Sequence, residues 1–478
     1  MALASLSGVI TPLFSLVIFT LGHGLLTTLL TLRLSAEHAS PTQIGLVSAA
    51  YFAGLFFGSF INARIILRVG HIRAYSAYAS ILASLAVLHG LIVDAHVWIG
   101  LRFLGGLATS GLFVVIESWL LVSSTAKTRG QVLAVYMILL YGALAIAQLL
   151  LKLIDPMVLA PFAMTAIAAS LSVVPLSLTR VSSPQLETTQ GLNIFQLVKL
   201  TPSGTFGSFT SGMIIGTVYG LLPLFFTESG ADISTVANLM AVVIFGGMTL
   251  QYPVGKLSDK LDRRIVLLLL CVAITLTSAT VIISNGNTAF NLQTILIFLF
   301  GGLSFALYPI ALSHACDELN PDQVISANQG LMLAYSLGAV IGPLIAPLVM
   351  KLLGSQGLFV YFGVTSALLA VYLSYRKRVR APVPLEEHQN YTPVPPNTTV
   401  TAELDPRADV NQFDEPENAD DFVHDPVPME QVTDAMPDEV QAMEEQLAEA
   451  QQLQEAETEK AEQTTASTEQ FESFREHR

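Results

Sequence analysis

Twelve runs of mostly apolar residues, each about long enough to cross a bilayer as a helix, constrain this chain more than any other feature. They occupy 8–31, 42–63, 74–93, 97–121, 130–151, 157–178, 205–227, 233–254, 265–284, 290–313, 324–350 and 356–375. A crossing takes about 20 residues in helical form, and in lipid every backbone amide and carbonyl must find its partner within the protein. The expectation is an all-α integral membrane protein with twelve transmembrane helices. Hydrophobic residues make up 52% of the chain and charged ones 13%, too little polar surface to cover a soluble protein of 478 residues. The first run, with Pro12, Gly22 and Gly24, is too long for the apolar region of a cleaved leader and reads as a permanent span.

The longest polar interruption, 179–204, holds Pro184, Gly191 and Pro202 and an amphipathic piece at Asn193–Leu200. It divides the chain into a six-helix bundle at 1–178, a loop at 179–204, a second six-helix bundle at 205–378 and a tail at 379–478. Charge divides it again. Residues 1–380 carry 19 basic and 12 acidic side chains, whereas 381–478 carry 4 and 25. The body is mildly basic and the tail is a separate acidic appendage.

Basic residues in short loops set orientation. With the N-terminus inside, the inner loops hold Arg64, Arg68, Arg73, Lys127, Arg129, Arg180, Lys199, Lys256, Lys260, Arg263 and Arg264, and Arg376, Lys377, Arg378 and Arg380 follow the last run. Arg33, Lys152 and Lys351 fall on the other side. Both termini are expected in the cytoplasm. The halves also repeat: "RFLGGLA" at 102–108 matches "FLFGGLS" at 298–304, with Gly105 and Gly106 over Gly301 and Gly302. Duplicated six-helix units place a cavity at their interface.

Between the eighth and ninth runs lies "YPVGKLSDKLDRR", 252–264. Gly255 permits a close helix approach, and Asp259 sits among four cations at a membrane face. A carboxylate there can face a helix N-terminus, which stabilises it by about 0.3–1 kcal/mol; by pseudo-symmetry this would be the fifth span near Arg129–Gln131. A contact made in one conformation only would act as a latch built from Gly255, Asp259, Arg263 and Arg264. A generic basic loop would account for the cations but not for the glycine, leucine and aspartate at these spacings.

This loop resembles the G-x-L-x-D-[RK]-x-x-R-[RK] signature of the major facilitator superfamily. The matching stretch after the second run, "ARIILRVGHIR", has Ala63 and Leu67 in place of glycine and aspartate, while Arg68, Gly70 and Arg73 remain. "LRFLGG" from 101 is similar to the family's R-x-x-x-G pattern through Arg102 and Gly106. "GAVIGPLIAP" at 338–347 resembles G-x-x-x-G-P through Gly338, Gly342 and Pro343, but in the eleventh run. The fifth run, "YGALAIAQ", departs from that motif, which argues against drug:proton antiport. "ESWL" and "YPIAL" (308–312) are similar to the YcaD-like branch. The resemblance covers about residues 8–375 and implies a major-facilitator-type fold, alternating access, a small-molecule substrate and a bacterial inner membrane.

Ionisable residues inside spans normally face the bundle interior or a wet cavity. Arg102, Gly106, Ser110, Phe113 and Glu117 share one face of the fourth run. Arg102 and Glu117 are fifteen residues, about 22 Å, apart and cannot pair. Glu117 lies near the inner end, where Arg64, Arg68 or Arg73 could reach it as a latch; the other reading is a proton-coupling carboxylate. Arg102 would tune a proton site or hold an anionic solute, or else pack against carbonyls. His23, between two glycines, is a cavity candidate or a packing residue. Tyr308 is a further cavity candidate beside Pro309. With Tyr136, Tyr141, Gln148, Tyr219, Asn238, Gln251, Asn328, Gln329 and Tyr335 it suggests a neutral polar and aromatic lining suited to an amphipathic solute. Gly105, Gly106, Gly338, Gly342 and Pro343 are read as packing positions.

Cys271 and Cys316 read as packing residues. No ATP-binding loop, metal cluster or nucleophile constellation appears, so no cofactor, enzyme activity or nucleic-acid partner is expected. The tail begins Pro-rich and extended and carries one fraying helical stretch near 440–453, reading as mostly disordered with at most a weak partner contact. The expectation is a monomeric secondary transporter of a small organic solute, coupled to protons. The alternative is a non-transporting sensor or scaffold acting through the tail, which a tail deletion distinguishes.

Overall fold

The computed structural model describes residues 2–178, 194–284, 290–319 and 323–379, and within 384–407 it describes Pro384, His388, Tyr391–Pro396, Thr398, Val400, Leu404, Asp405 and Arg407. Arg180 and Arg380, most of the 179–204 loop, Asn193, and the helical stretch near 440–453 lie outside the described residues.

Twelve helices are long and apolar enough to cross a membrane: Val9–Ala36, Pro41–Val69, His71–Leu91, Ala95–Val122, Thr128–Leu153, Ala160–Ser177, Pro202–Glu228, Ile233–Ser258, Arg263–Ser284, Leu292–Asp317, Val324–Leu353 and Gly357–Val379. They are referred to below as spans one to twelve, arranged as two six-helix bundles. Several run a turn or more past the apolar stretch. The second continues through Arg64 and Arg68 to Val69, because only about 20 residues need lie in hydrocarbon and a helix can continue into the interface. The amphipathic piece is a short helix, Ile194–Leu200.

Caps mark the helix starts. Ser40 and Gln43 form a reciprocal capping box before the second span, and the Asp94 carboxylate accepts from the amides of His96 and Val97 before the fourth. Gly70, at φ 88°, alone makes the turn between the second and third spans, a backbone region that favours glycine.

Matching close crossings hold each half together. A Cβ on Gly54 would strike Phe103 O and the Gly106 backbone, and one on Gly106 would strike Tyr51 O. In the second half, a Cβ on Gly246 would strike Phe298 O, and one on Gly301 would strike Val243 O. These pairs place Gly106 opposite Gly301, one residue away from the alignment suggested by "GGL". Gly105 is a further correction. A Cβ there would meet only Leu85 Cδ1, at 3.9 Å, so no helix crossing depends on it. A Cβ on Gly338 would strike Phe209 O, and one on Gly342 would strike Met213 O, both in the seventh span.

At the ends remote from the tail the halves touch directly. The Thr31 hydroxyl donates to Gly220 O at 2.9 Å, and Gly45 lies against the Pro343 carbonyl. A central cavity lies between the halves.

Candidate functional site

The cavity has a volume of about 130 Å³ and is lined by spans one, two, four, five, seven, ten and eleven. Its walls are aromatic and neutral: Tyr51, Phe113, Tyr141, Tyr219, Phe305, Tyr308 and Tyr335, with Gln148 and several small hydroxyls. On the register of the glycine crossings, Phe113 and Tyr308 hold the same place in the two halves. The pseudo-symmetry therefore reaches the lining itself.

One wall carries the polar cluster. The Arg102 guanidinium lies 4.1 Å from the centroid of the Tyr51 ring, and the Tyr51 hydroxyl is 3.0 Å from His23 Nε2. Phe19 stacks on His23, at 5.5 Å between ring centroids. Arg102 is 5% exposed, its Nε is unpartnered, and among the described residues it meets no carboxylate. A cation at depth costs about 2.5–3.5 kcal/mol on insertion scales, and one ring face returns about 0.5–2 kcal/mol of that. The guanidinium is left with unused donors beside the cavity.

Arg102, His23 and Tyr308 thus come together as cavity residues. Glu117 does not. It is fully buried one turn beyond Phe113, where Tyr136 Oη donates to it at 2.7 Å and Thr398 Oγ1 donates from the tail. The loop arginines named as its latch partners do not reach it. Arg64, Arg68 and Arg73 are exposed and make no ion pair among the described residues. Arg64 and Arg68 lie in the last turns of the second span and Arg73 in the first turn of the third.

Asp259 also differs from expectation. Its partners are Arg263 Nη2, at 3.3 Å, and the backbone amide of Tyr391, at 2.9 Å, rather than the N-terminus of the fifth span. As C-cap of its own helix, it lies one turn before Arg263. Arg263 is buried and donates to Ser313 O at 2.8 Å and to Asp317 at 2.9 Å. Arg264 binds Asp262 beside it, at 3.3 Å. Gly255 packs under the Tyr391 ring, which occupies the space of a Cβ.

Of the other polar span residues, Tyr141, Gln148, Tyr219 and Tyr335 line the cavity, while Asn238 and Tyr136 lie away from it. Gln251 supports the wall by donating to Tyr141 Oη at 3.4 Å. Sequence reasoning missed Tyr51, Asp317, Ser313 and every tail contact. The signal for Asp317 was present, since an acid at the end of a span is unusual, but its partner lies 54 residues away.

A twelve-span bundle in two halves around a central polar cavity defines a membrane transporter. The family model described as Major Facilitator Superfamily matches residues 13–331 and 204–407, and the chain belongs to that superfamily. The uncharacterized MFS-type transporter YcaD of Escherichia fergusonii is 31% identical over 365 residues, 76% of this chain and 94% of the relative. A YcaD of Escherichia coli is 30% identical over 363 residues, with the same coverage. Among solved structures, the nucleoside transporter NupG superposes with a TM-score of 0.64 at 17% identity, covering 78% of this chain and 98% of its own. A bacterial homologue of the human lysosomal transporter Spinster, inward-facing and occupied, gives 0.62 at 14%, covering 80% and 97%. A D-xylose-proton symporter gives 0.59 at 13%, covering 77% and 96%.

Proposed function

We propose that this transporter moves a small organic anion with an apolar or aromatic body, by alternating access and coupled to protons, with both termini in the cytoplasm. The observation that carries the reading is Arg102, a buried guanidinium at the cavity with no carboxylate partner among the described residues. A planar carboxylate matches its fork of donors, and the tyrosine and phenylalanine walls suit the rest of the molecule. Among the described residues, the lining holds no acid that would welcome a cation. The orientation rests on the excess of basic residues in the tail-side loops.

Glu117 serves as the gate carboxylate, stabilised here by hydroxyl donors and freed to change partners when the halves rock. The test is a melting-temperature screen on purified protein with benzoate, phenylacetate and cinnamate, each paired with its uncharged amide. A ligand at one hundred times its Kd stabilises by about 2.7 kcal/mol. Carboxylates that raise the melting temperature while their amides do not support the reading, provided that Arg102→Lys loses the shift. Equal shifts from acids and amides would remove Arg102 as the anchor.

A further inference from the structure

The stretch after the last span departs furthest from what its composition suggests. In an appendage of 25 acidic and four basic residues, positions 391–400, "YTPVPPNTTV", carry no charge at all. The described part of this region does not sit in solvent. Val394, Val400 and Leu404 are buried, and Val394 and Pro396 form part of the cavity lining.

Both halves hold it. In the first, Thr398 donates to Glu117. In the second, the Tyr391 amide donates to Asp259 at 2.9 Å, Asn328 Nδ2 donates to Asp405 at 2.9 Å, and Arg407 Nη1 donates to Ser313 Oγ at 2.9 Å. Asp405 and Arg407 pair with each other at 2.6 Å, so the buried charges cancel. The sequence suits the place. Pro393, Pro395 and Pro396 have no N–H to leave unsatisfied, and proline lowers the entropy lost on ordering. Eleven residues lie between Val379 and Tyr391, a reach of up to about 40 Å.

We propose that the described residues between Tyr391 and Arg407 form a built-in plug: an autoinhibitory segment that fills the tail-side mouth of the cavity, ties the halves together, and must withdraw before a solute passes. A segment bonded to one half would ride with it. Bonded to Glu117 on one side and to Asp259, Ser313 and Asn328 on the other, it opposes their relative motion. Solute and plug share the same volume, so apparent affinity falls by the fraction of molecules that are open. The inference rests on the cavity being the solute site, but its test uses no solute.

Cys316 reports on the plug. It is fully buried, and its thiol lies 3.6 Å from Oδ1 of Asn328, the amide that holds Asp405. The chain has two cysteines, so Cys271→Ala leaves Cys316 as the one reactive thiol. Two variants remove the plug: Asp405→Ala with Arg407→Ala, which conserves net charge, and a chain ended at Val379. Labelling of purified protein with a small maleimide should run about tenfold faster in both, as when about a tenth of native molecules are open. Cys271, read in a Cys316→Ala background, should keep its native rate. Unchanged Cys316 labelling in both variants overturns the proposal. So does equal activation of Cys271, because the segment would then be part of the folded core. Faster Cys316 labelling in protein that binds none of the tested carboxylates supports the plug and counts against the solute reading.

Discussion

At the tail-side end of the second half, Arg263 is buried between Asp259 and Asp317; at the matching place, the first half has no charges to bury. On the register set by Gly54 and Gly246, Leu67 stands opposite Asp259 and His71 opposite Arg263. On that of Gly106 and Gly301, Val122 stands opposite Asp317. His71 packs on Trp119 instead, with ring centroids 6.4 Å apart. A buried ion pair exchanged for packed apolar groups is often neutral in stability, so one scaffold tolerates both solutions. The cavity reverses the asymmetry. Among the described residues, its basic groups, Arg102 and His23, and the nearby Glu117 all belong to the first half, while Leu312 occupies Glu117's place in the second. One half supplies a charged wall and the other a charged hinge. Duplication preserved the crossings and left each half free to specialise.

Arg263→Ala should break this comparison most visibly. It strands the buried Asp317 carboxylate, at a cost of about 3–5 kcal/mol, whereas Arg73→Ala in the first half should stay within about 0.5 kcal/mol. Unfolding temperatures of the two variants in one detergent check this, and similar losses would mean that the first-half loop carries an ion network after all. Asp259→Asn should cost less, under about 1 kcal/mol, because its carboxylate is partly exposed and Asn still accepts from the Tyr391 amide. Its signature is conformational: Cys316 should label faster without a large change in melting temperature.

How much of this was legible depended on what lipid enforces. Hydrocarbon forbids polar surface over a fixed thickness, so twelve spans and their halves could be read from residue order alone. Their ends could not, because the interface accepts Arg64 and Arg68 as readily as Leu67. Arg102 and His23 were findable because a charge or an imidazole inside a span demands a reason. Tyr51 was not. It sits in "YFAGLFFGSF", where Phe57 and Phe60, each 50% exposed, look the same in sequence while facing outward. The Arg263–Asp317 pair was hidden by sequence separation. The packed tail segment was hidden by averaging, because total acidity describes residues 381–478 while the uncharged window at 391–400 behaves differently.

Gly255→Ala sharpens the same contrast at smaller scale. A Cβ there displaces the Tyr391 ring, so Cys316 labelling should rise, while Ala63→Gly at the first-half counterpart should change nothing beyond the about 1 kcal/mol cost of glycine in a helix. Tyr391→Phe is the smallest. The Tyr391 hydroxyl is buried with no partner among the described residues, and burial holds its phenol above the ordinary tyrosine range. Removing an unpaired buried hydroxyl is neutral or stabilising. Cys316 labelling in Tyr391→Phe should therefore match or fall below the native rate.

The division of labour between the halves is tested most directly in reconstituted vesicles with an imposed pH gradient, using the carboxylate that stabilises the protein best. Native protein should accumulate it. Arg102→Lys keeps the charge but loses the planar fork, and should lose at least about tenfold in apparent affinity, equivalent to about 1.4 kcal/mol. Glu117→Gln keeps an acceptor for Tyr136 and Thr398 but loses the charge, so uptake should slow and still follow the gradient. Arg102→Lys vesicles that accumulate solute at the native rate and affinity, or Glu117→Gln vesicles that exchange solute normally yet cannot concentrate it, would contradict the roles assigned to the first half.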